Sequence, residues 1–451
     1  MRKTIAFMWV FAVSALCSCS TSGEGPAPVS PRTTDEREEV RGGVAASVQT
    51  RDSDWPQFRG PTGQGISNDK GLPLTWSETK NIVWKVELPG AGTSSPIVLG
   101  ERIFLTCYSG YKVPGRPVGS QEDLKRSVTC LDRKSGKLLW NTEVESKLPE
   151  QAIIREEHGY ASSTPVADGE KVYAFFGKSG VFAFDHAGKQ LWQADVGSRL
   201  NGWGSAAALS LHENLVLVNA SVESDSLVAL DKKTGKEVWR TRGIVESWHM
   251  PIVADADGKK EIVIAVLGKL FGIDPRSGEK LWTCNTNIGW YMVPVPIAHE
   301  GIIYALGGRS GTVGLSVRAG GSGDVTKSHR LWTSNKGSNV TSPILHNGHL
   351  YWMSDVLGTA YCAEAKSGRI LYDERLTRAS QVYASPVLAE GRIYYTDRMG
   401  QTFVVAAQPE FKLLAQSSLG KRININASPA VSEGRLLIRA DQFLFCIGES
   451  R

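Results

Sequence analysis

Short apolar runs recur along the chain, and the same polar punctuation follows each of them. The run Leu227-Val-Ala-Leu230 leads into Asp231-Lys-Lys-Thr-Gly-Lys-Glu-Val-Trp239. Asp132 to Trp140 and Asp274 to Trp282 repeat that pattern. Asp185 to Trp192 and Glu364 to Tyr372 are looser copies, and Leu331-Trp332 keeps only the end. Each copy reads as a hairpin. An acid and a hydroxyl bond to the local backbone, Gly takes positive φ without a Cβ penalty, and a short strand ending in an aromatic residue leaves the turn.

A second signature marks where each unit begins. Pro96, Pro165, Pro251, Pro296, Pro343, Pro386 and Pro429 each precede an apolar run, and Ala208 holds the same place in the third unit. Ala208 to Pro251, Pro343 to Pro386 and Pro386 to Pro429 are all 43 residues apart. Pro is tolerated at the first residue of a strand, where no ladder donor is needed. Turns such as Ala167-Asp-Gly-Glu170 and Ala389-Glu-Gly-Arg392 then follow. Each unit therefore contains four strands, and four strands at this period predict a propeller blade.

Eight units begin near residues 93, 162, 205, 249, 294, 341, 384 and 427. The last stops after its third strand, at Phe443 to Ile447. The missing strand stands at the other end, in Asn81-Ile-Val-Trp84-Lys-Val-Glu-Leu88. The expected fold is all-β: an eight-bladed β-propeller with four-stranded antiparallel blades, the last closed by an N-terminal strand. Trp55 to Gly65, just before that strand, is expected to form an irregular cap along the outside or across one face.

Composition changes this picture little at the centre and much at the front. The net charge of +5 is small and both signs are interspersed, which argues against a nucleic-acid partner. Residues 1–19 read as a signal peptide, with Arg2 and Lys3 ahead of an apolar stretch too short to span a membrane. Cys19 sits where a bacterial lipoprotein carries its lipid; a plain secretory cut near Ser18 or Ser20 is the other reading. Residues 20–54, rich in Ser, Thr, Pro, Gly and charge, read as a disordered linker, and 55–448 as the propeller. Five cysteines follow the leader. Three share one column of small buried residues, where free Cys acts as a small hydrophobe. A Cys107–Cys130 bridge is admissible in an oxidising compartment.

The units resemble the PQQ-type propeller repeat, with its Asp-x-x-[Thr/Ser]-Gly-x-x-x-Trp motif, over roughly residues 55–448. The resemblance points to two branches. Quinoprotein dehydrogenases oxidise alcohols or sugars with bound pyrroloquinoline quinone (PQQ) and Ca²⁺. The BamB-like group is exported, often lipidated, and uses the scaffold for protein contacts. The adjacent cysteine pair of quinoprotein alcohol dehydrogenases is missing here. Asp255-Ala-Asp257-Gly258 lacks the later ligands of a Ca²⁺ loop and reads as a hairpin turn.

In a propeller, the loops before the innermost strand and those joining strands two and three share one face, where ligand sites concentrate. These loops hold His158, Tyr160, Trp203, Trp248, His249, Trp290, Tyr291, Arg309, Asp355, Tyr383, Arg398 and Arg439. Trp, Tyr and Arg anchor interfaces, although some of these aromatics are equally suited to filling the channel. The outer-strand tryptophans are expected to pack between blades. Neither a catalytic residue nor a metal site is assigned. The expectation is a non-catalytic scaffold of the periplasm or outer membrane, lipid-anchored, binding cell-envelope proteins without a cofactor. A PQQ- and Ca²⁺-dependent oxidoreductase, drawing on Arg309, Arg398 and Arg439 for the cofactor carboxylates and Asp355 or Glu157 as acid, is the alternative. A glycan- or peptide-binding module is a third reading.

Overall fold

The apolar runs form strands, and the polar punctuation between them forms the turns. The computed structural model describes residues 50–449, except 156, 310, 312, 357, 421 and 422. The signal peptide, Cys19 and the linker up to residue 49 lie outside the described residues. Eight antiparallel sheets form an eight-bladed propeller. Blade one, running from the channel outward, is Ile97–Leu99, Arg102–Ser109, Lys125–Asp132 and Leu138–Val144. Blade eight is Ala430–Ser432, Arg435–Ala440 and Phe443–Ile447, completed by Ile82–Glu87 from the other end of the chain. That strand pairs antiparallel with Phe443–Ile447, setting Trp84 opposite Cys446. Asp255 to Gly258 is a hairpin turn whose Gly258 N–H donates to Asp255 at 2.7 Å.

The tryptophans pack between blades, and the geometry explains the motif ahead of them. Trp192, on the outer strand of blade two, lies over Gly235 in the turn of blade three. Its indole N–H donates to Lys232 O at 3.1 Å. A Cβ on Gly235 would stand 2.6 Å from the ring, and Gly235 has φ +72°. The turn needs Gly twice over, for its backbone conformation and for its neighbour's indole. Trp140, Trp239 and Trp332 dock in the same way on His186 O, Pro275 O and Ala365 O. Blade five lacks the turn motif. Trp282 of blade four therefore donates to buried Glu261 at 3.0 Å, whose other oxygen accepts Gly320 N–H from the blade-five insertion. Gly323–Asp324 of that insertion adds a short parallel strand to the edge of blade four.

A belt of hydroxyls runs around the axis. The residue before each blade-opening Pro is Ser or Thr in five blades, and its hydroxyl accepts the N–H of the equivalent residue one blade earlier. Val295 donates to Ser342, Ser342 to Ser385, Ser385 to Ser428, Ser428 to Ser95, and Ser95 to Thr164, at 2.9–3.1 Å. The seam between blades eight and one also holds Arg439. It is fully buried and donates to Ser94 O and Oγ and to Thr106 O.

The cap crosses the face opposite the loops. Trp55 exchanges two backbone hydrogen bonds with Val98 of blade one. Pro56 O accepts from Ala167 of blade two, and Gln64 reaches Ala298 of blade five. Arg59 donates to Pro343 O of blade six, and Gly65 and Ser67 bond Leu388 of blade seven. Phe58 packs with Ala208, Met250 and Val295 at the axis. Order begins before residue 55: Asp54 is buried and accepts Gly100 N–H at 2.9 Å, so the end of the expected linker belongs to the ring. The Cys107–Cys130 bridge that the sequence left open does not form. Cys107 stands opposite Ser127 and Cys130 opposite Phe104, an odd offset that sends the two side chains to opposite faces of the blade. All five described cysteines are free and buried.

Candidate functional site

The loop face brings together two groups of side chains. On blades two to five, Trp203, Tyr291, Trp248 and Trp290 meet around Tyr291, with ring centroids 5.3–5.6 Å from it. The Arg155 guanidinium lies 4.4 Å over Trp203, and His158 meets that ring edge-on at 6.1 Å. Trp290 is 37% exposed, and Trp203 and Tyr291 are half-buried. On blade seven, Arg398 lies 4.7 Å over the Tyr383 ring, donates to Asn426 Oδ1 and Gln381, and stands 3.6 Å from Glu157. Arg309 is exposed on blade five.

Between these groups opens the central channel, with about 680 Å³ of empty space, part of it reaching solvent. Glu157, His158, Trp248 and Tyr383 stand at its mouth, the hydroxyl belt lines one side, and Phe58 lies at the capped end. Burial pulls His158 down to about 4, so its imidazole is neutral at pH 7. Burial raises the Tyr383 hydroxyl and keeps it protonated.

Several expected face residues are placed elsewhere by the structure. Tyr160 is buried beside the long loop (residues 110–124) between the second and third strands of blade one, against Tyr108 and Tyr111, with its hydroxyl donating to Gln151 O at 2.7 Å. Both ring nitrogens of His249 are engaged by backbone of Met250 and Ala265. Arg439 is sealed in the seam. Asp355 is buried, accepts Asn339 N–H at 3.1 Å, and burial raises its carboxyl above the usual range. Trp248 stays on the face, its ring mostly buried and its N–H donating to Gly204 O at 2.7 Å. Two groups escaped the sequence reading. Arg155 precedes the loop positions that were read. Glu223 sits on the Ser221–Ser224 turn, buried beside the Ser205 hydroxyl, and burial lifts it to about 7.

Among the described residues, the arginines and acids that the sequence offers for PQQ and Ca²⁺ do not converge on one cradle. Arg439 faces the seam, Arg398 is engaged at the mouth, and Arg309 is on the surface of another blade, so three cations do not converge. Glu157 stands beside Arg398, and Asp355 is tied to Asn339. Among the described residues, no group of three His, Cys, Asp or Glu could hold a metal ion.

The sequence family described as outer membrane protein assembly factor BamB matches residues 66–206 and 179–324. No curated protein matches. Solved structures share the fold. BamB from Moraxella catarrhalis is 15% identical with a TM-score of 0.57, over 82% of this chain and 98% of that one. A quinohemoprotein alcohol dehydrogenase from Comamonas testosteroni is 11% identical with a TM-score of 0.61, over 88% and 81%. A europium-containing methanol dehydrogenase is 11% identical with a TM-score of 0.60, over 86% and 89%. At such identities the likeness is one of fold.

Proposed function

The chain belongs to the family described as outer membrane protein assembly factor BamB, and on that premise we propose that it is an exported, non-catalytic scaffold of the cell envelope. Its partners are proteins of membrane-protein assembly, and it holds them on the loop face. The carrying observation is the cluster of Trp203, Tyr291 and Trp290 beside Arg155. Rigid aromatic and guanidinium groups exposed together supply contact area at low entropic cost, as interface hot spots do. Of the acids that the sequence offers for an oxidoreductase, Asp355 is bonded to Asn339 and Glu157 faces Arg398.

The test is photo-crosslinking in intact cells from residue analogues placed at Trp290, Arg309 and, in the cap, exposed Thr62. Crosslinks to membrane-assembly proteins from the first two positions and none from Thr62 are expected. Equal crosslinking from Thr62 removes the loop face from the account. Calorimetric titration with PQQ, with and without Ca²⁺, decides the rival reading: Ca²⁺-dependent binding with dye-linked alcohol turnover makes this an oxidoreductase.

A further inference from the structure

The hydroxyl belt leaves a surplus of donors inside the channel. Ser95, Thr164, Ser342, Ser385 and Ser428 all line the well and are all at least nine-tenths buried. Each uses a lone pair to accept an N–H from the neighbouring blade. None donates its own proton to another protein atom among the described residues. Asn426, at the same rim, has its Oδ1 taken by Arg398 and a buried Nδ2 without a partner. The result is an arc of N–H and O–H groups on blades six, seven, eight, one and two. Buried donors require acceptors.

The facing wall is of the opposite kind. Blades three to five contribute Ala208, Met250, Val293 and Val295, and Phe58 lies beneath. The well is therefore two-sided, donor-rich on one flank and apolar on the other. At its mouth the Arg398 guanidinium stands 3.6 Å from Glu157, a longer and weaker pairing than the usual charge-assisted bond.

We propose that the central well binds a carboxylate borne on a small apolar group. The carboxylate lies on the hydroxyl arc and draws Arg398 from Glu157, while the apolar part fills the space against Phe58, Ala208, Met250 and Val295. This site lies inside the channel, below the aromatic rim, and does not depend on the scaffold reading. The carboxylate can come from a free hydrophobic acid or from the C-terminus of a polypeptide.

The experiment is calorimetric titration of the full chain with N-acetyl-leucine and with N-acetyl-leucinamide, which has the same shape without the charge. The acid should bind at least about tenfold more tightly. Equal affinities, or no binding of either, overturn the proposal and leave a hydrated channel. Ser385→Ala with Ser428→Ala should weaken the acid about tenfold and leave the amide unchanged. Should that variant fail to fold, Val295→Phe fills the apolar flank with the arc intact and should abolish acid binding; retained binding places the ligand elsewhere. A Gly-Gly-Ser-Leu peptide that outcompetes N-acetyl-leucine identifies a polypeptide terminus as the source, and equal binding identifies free acids.

Discussion

Gly235 and Gly348 have nearly the same backbone, φ +72° and +75°, in very different surroundings. A Cβ at Gly235 meets Trp192 at 2.6 Å, whereas one at Gly348 meets nothing within 4 Å. Gly348→Ala should therefore cost only the left-handed strain, about 1–2 kcal/mol. Gly235→Ala adds the displaced indole and should cost about 3 kcal/mol or more. Urea unfolding of the two variants separates backbone strain from blade docking, and equal losses would show that the indole moves freely. Glu223 gives a pH signature. Its folded value of about 7 lies above the unfolded value of a glutamate, about 4.3. The folded state holds the proton more tightly, so stability falls as pH rises through the window between those values. Glu223→Gln, still able to take the Ser205 hydroxyl as a partner, should be more stable than the parent at pH 8 and similar at pH 4.5. A parallel pH dependence in both proteins would clear Glu223 of the effect.

At the level of strands and turns, the ring depends on one non-local pairing. Removing residues 81–88 leaves Phe443–Ile447 as an open edge and unroofs the apolar cluster containing Leu444, Phe445 and Ile447. The melting temperature should fall by more than about 10 °C in a thermal scan; an unchanged melt would mean that the ring closes without this strand. The pairing was legible in the sequence because period and composition both register on a strand, and one orphan stood at each end. The hydroxyl belt was not. Ser or Thr before Pro reads as the start of a strand, and nothing local reveals that its partner is the same residue one blade away, as with Ser342 and Ser385. Loop side chains were legible only as far as their face. His249 and Arg439 begin on it and turn inward, because a long polar side chain goes wherever backbone carbonyls lie unpaired, and no periodicity records that. Blade five shows the same limit: the missing turn was visible, but not Glu261 as its substitute.

For the whole molecule, the front of the chain is handled in two ways. Cys19→Ser should release the protein from membrane fractions into the soluble fraction, and persistent membrane association would count against lipid attachment at that residue. The cap, by contrast, is part of the fold. It bonds to inner strands around the ring, and Phe58 reaches the axis between blades three, four and five. Its Trp-Pro-Gln-Phe-Arg-Gly sequence was legible as irregular, while its course across the face depends on partners scattered through the rest of the chain.

That arrangement fixes an order of events during synthesis. Ile82–Glu87 pairs with Phe443–Ile447, which is made roughly 350 residues later. At ordinary elongation rates of 5–20 residues per second, the early strand waits roughly 20–70 s for its mate. Throughout that interval the nascent chain is an open arc with two sticky ends, and the cap has no complete face to lie across. Any product that stops short of blade eight carries a well with a gap in its wall and a strand without a neighbour, so quality control has a simple mark by which to tell finished molecules from unfinished ones.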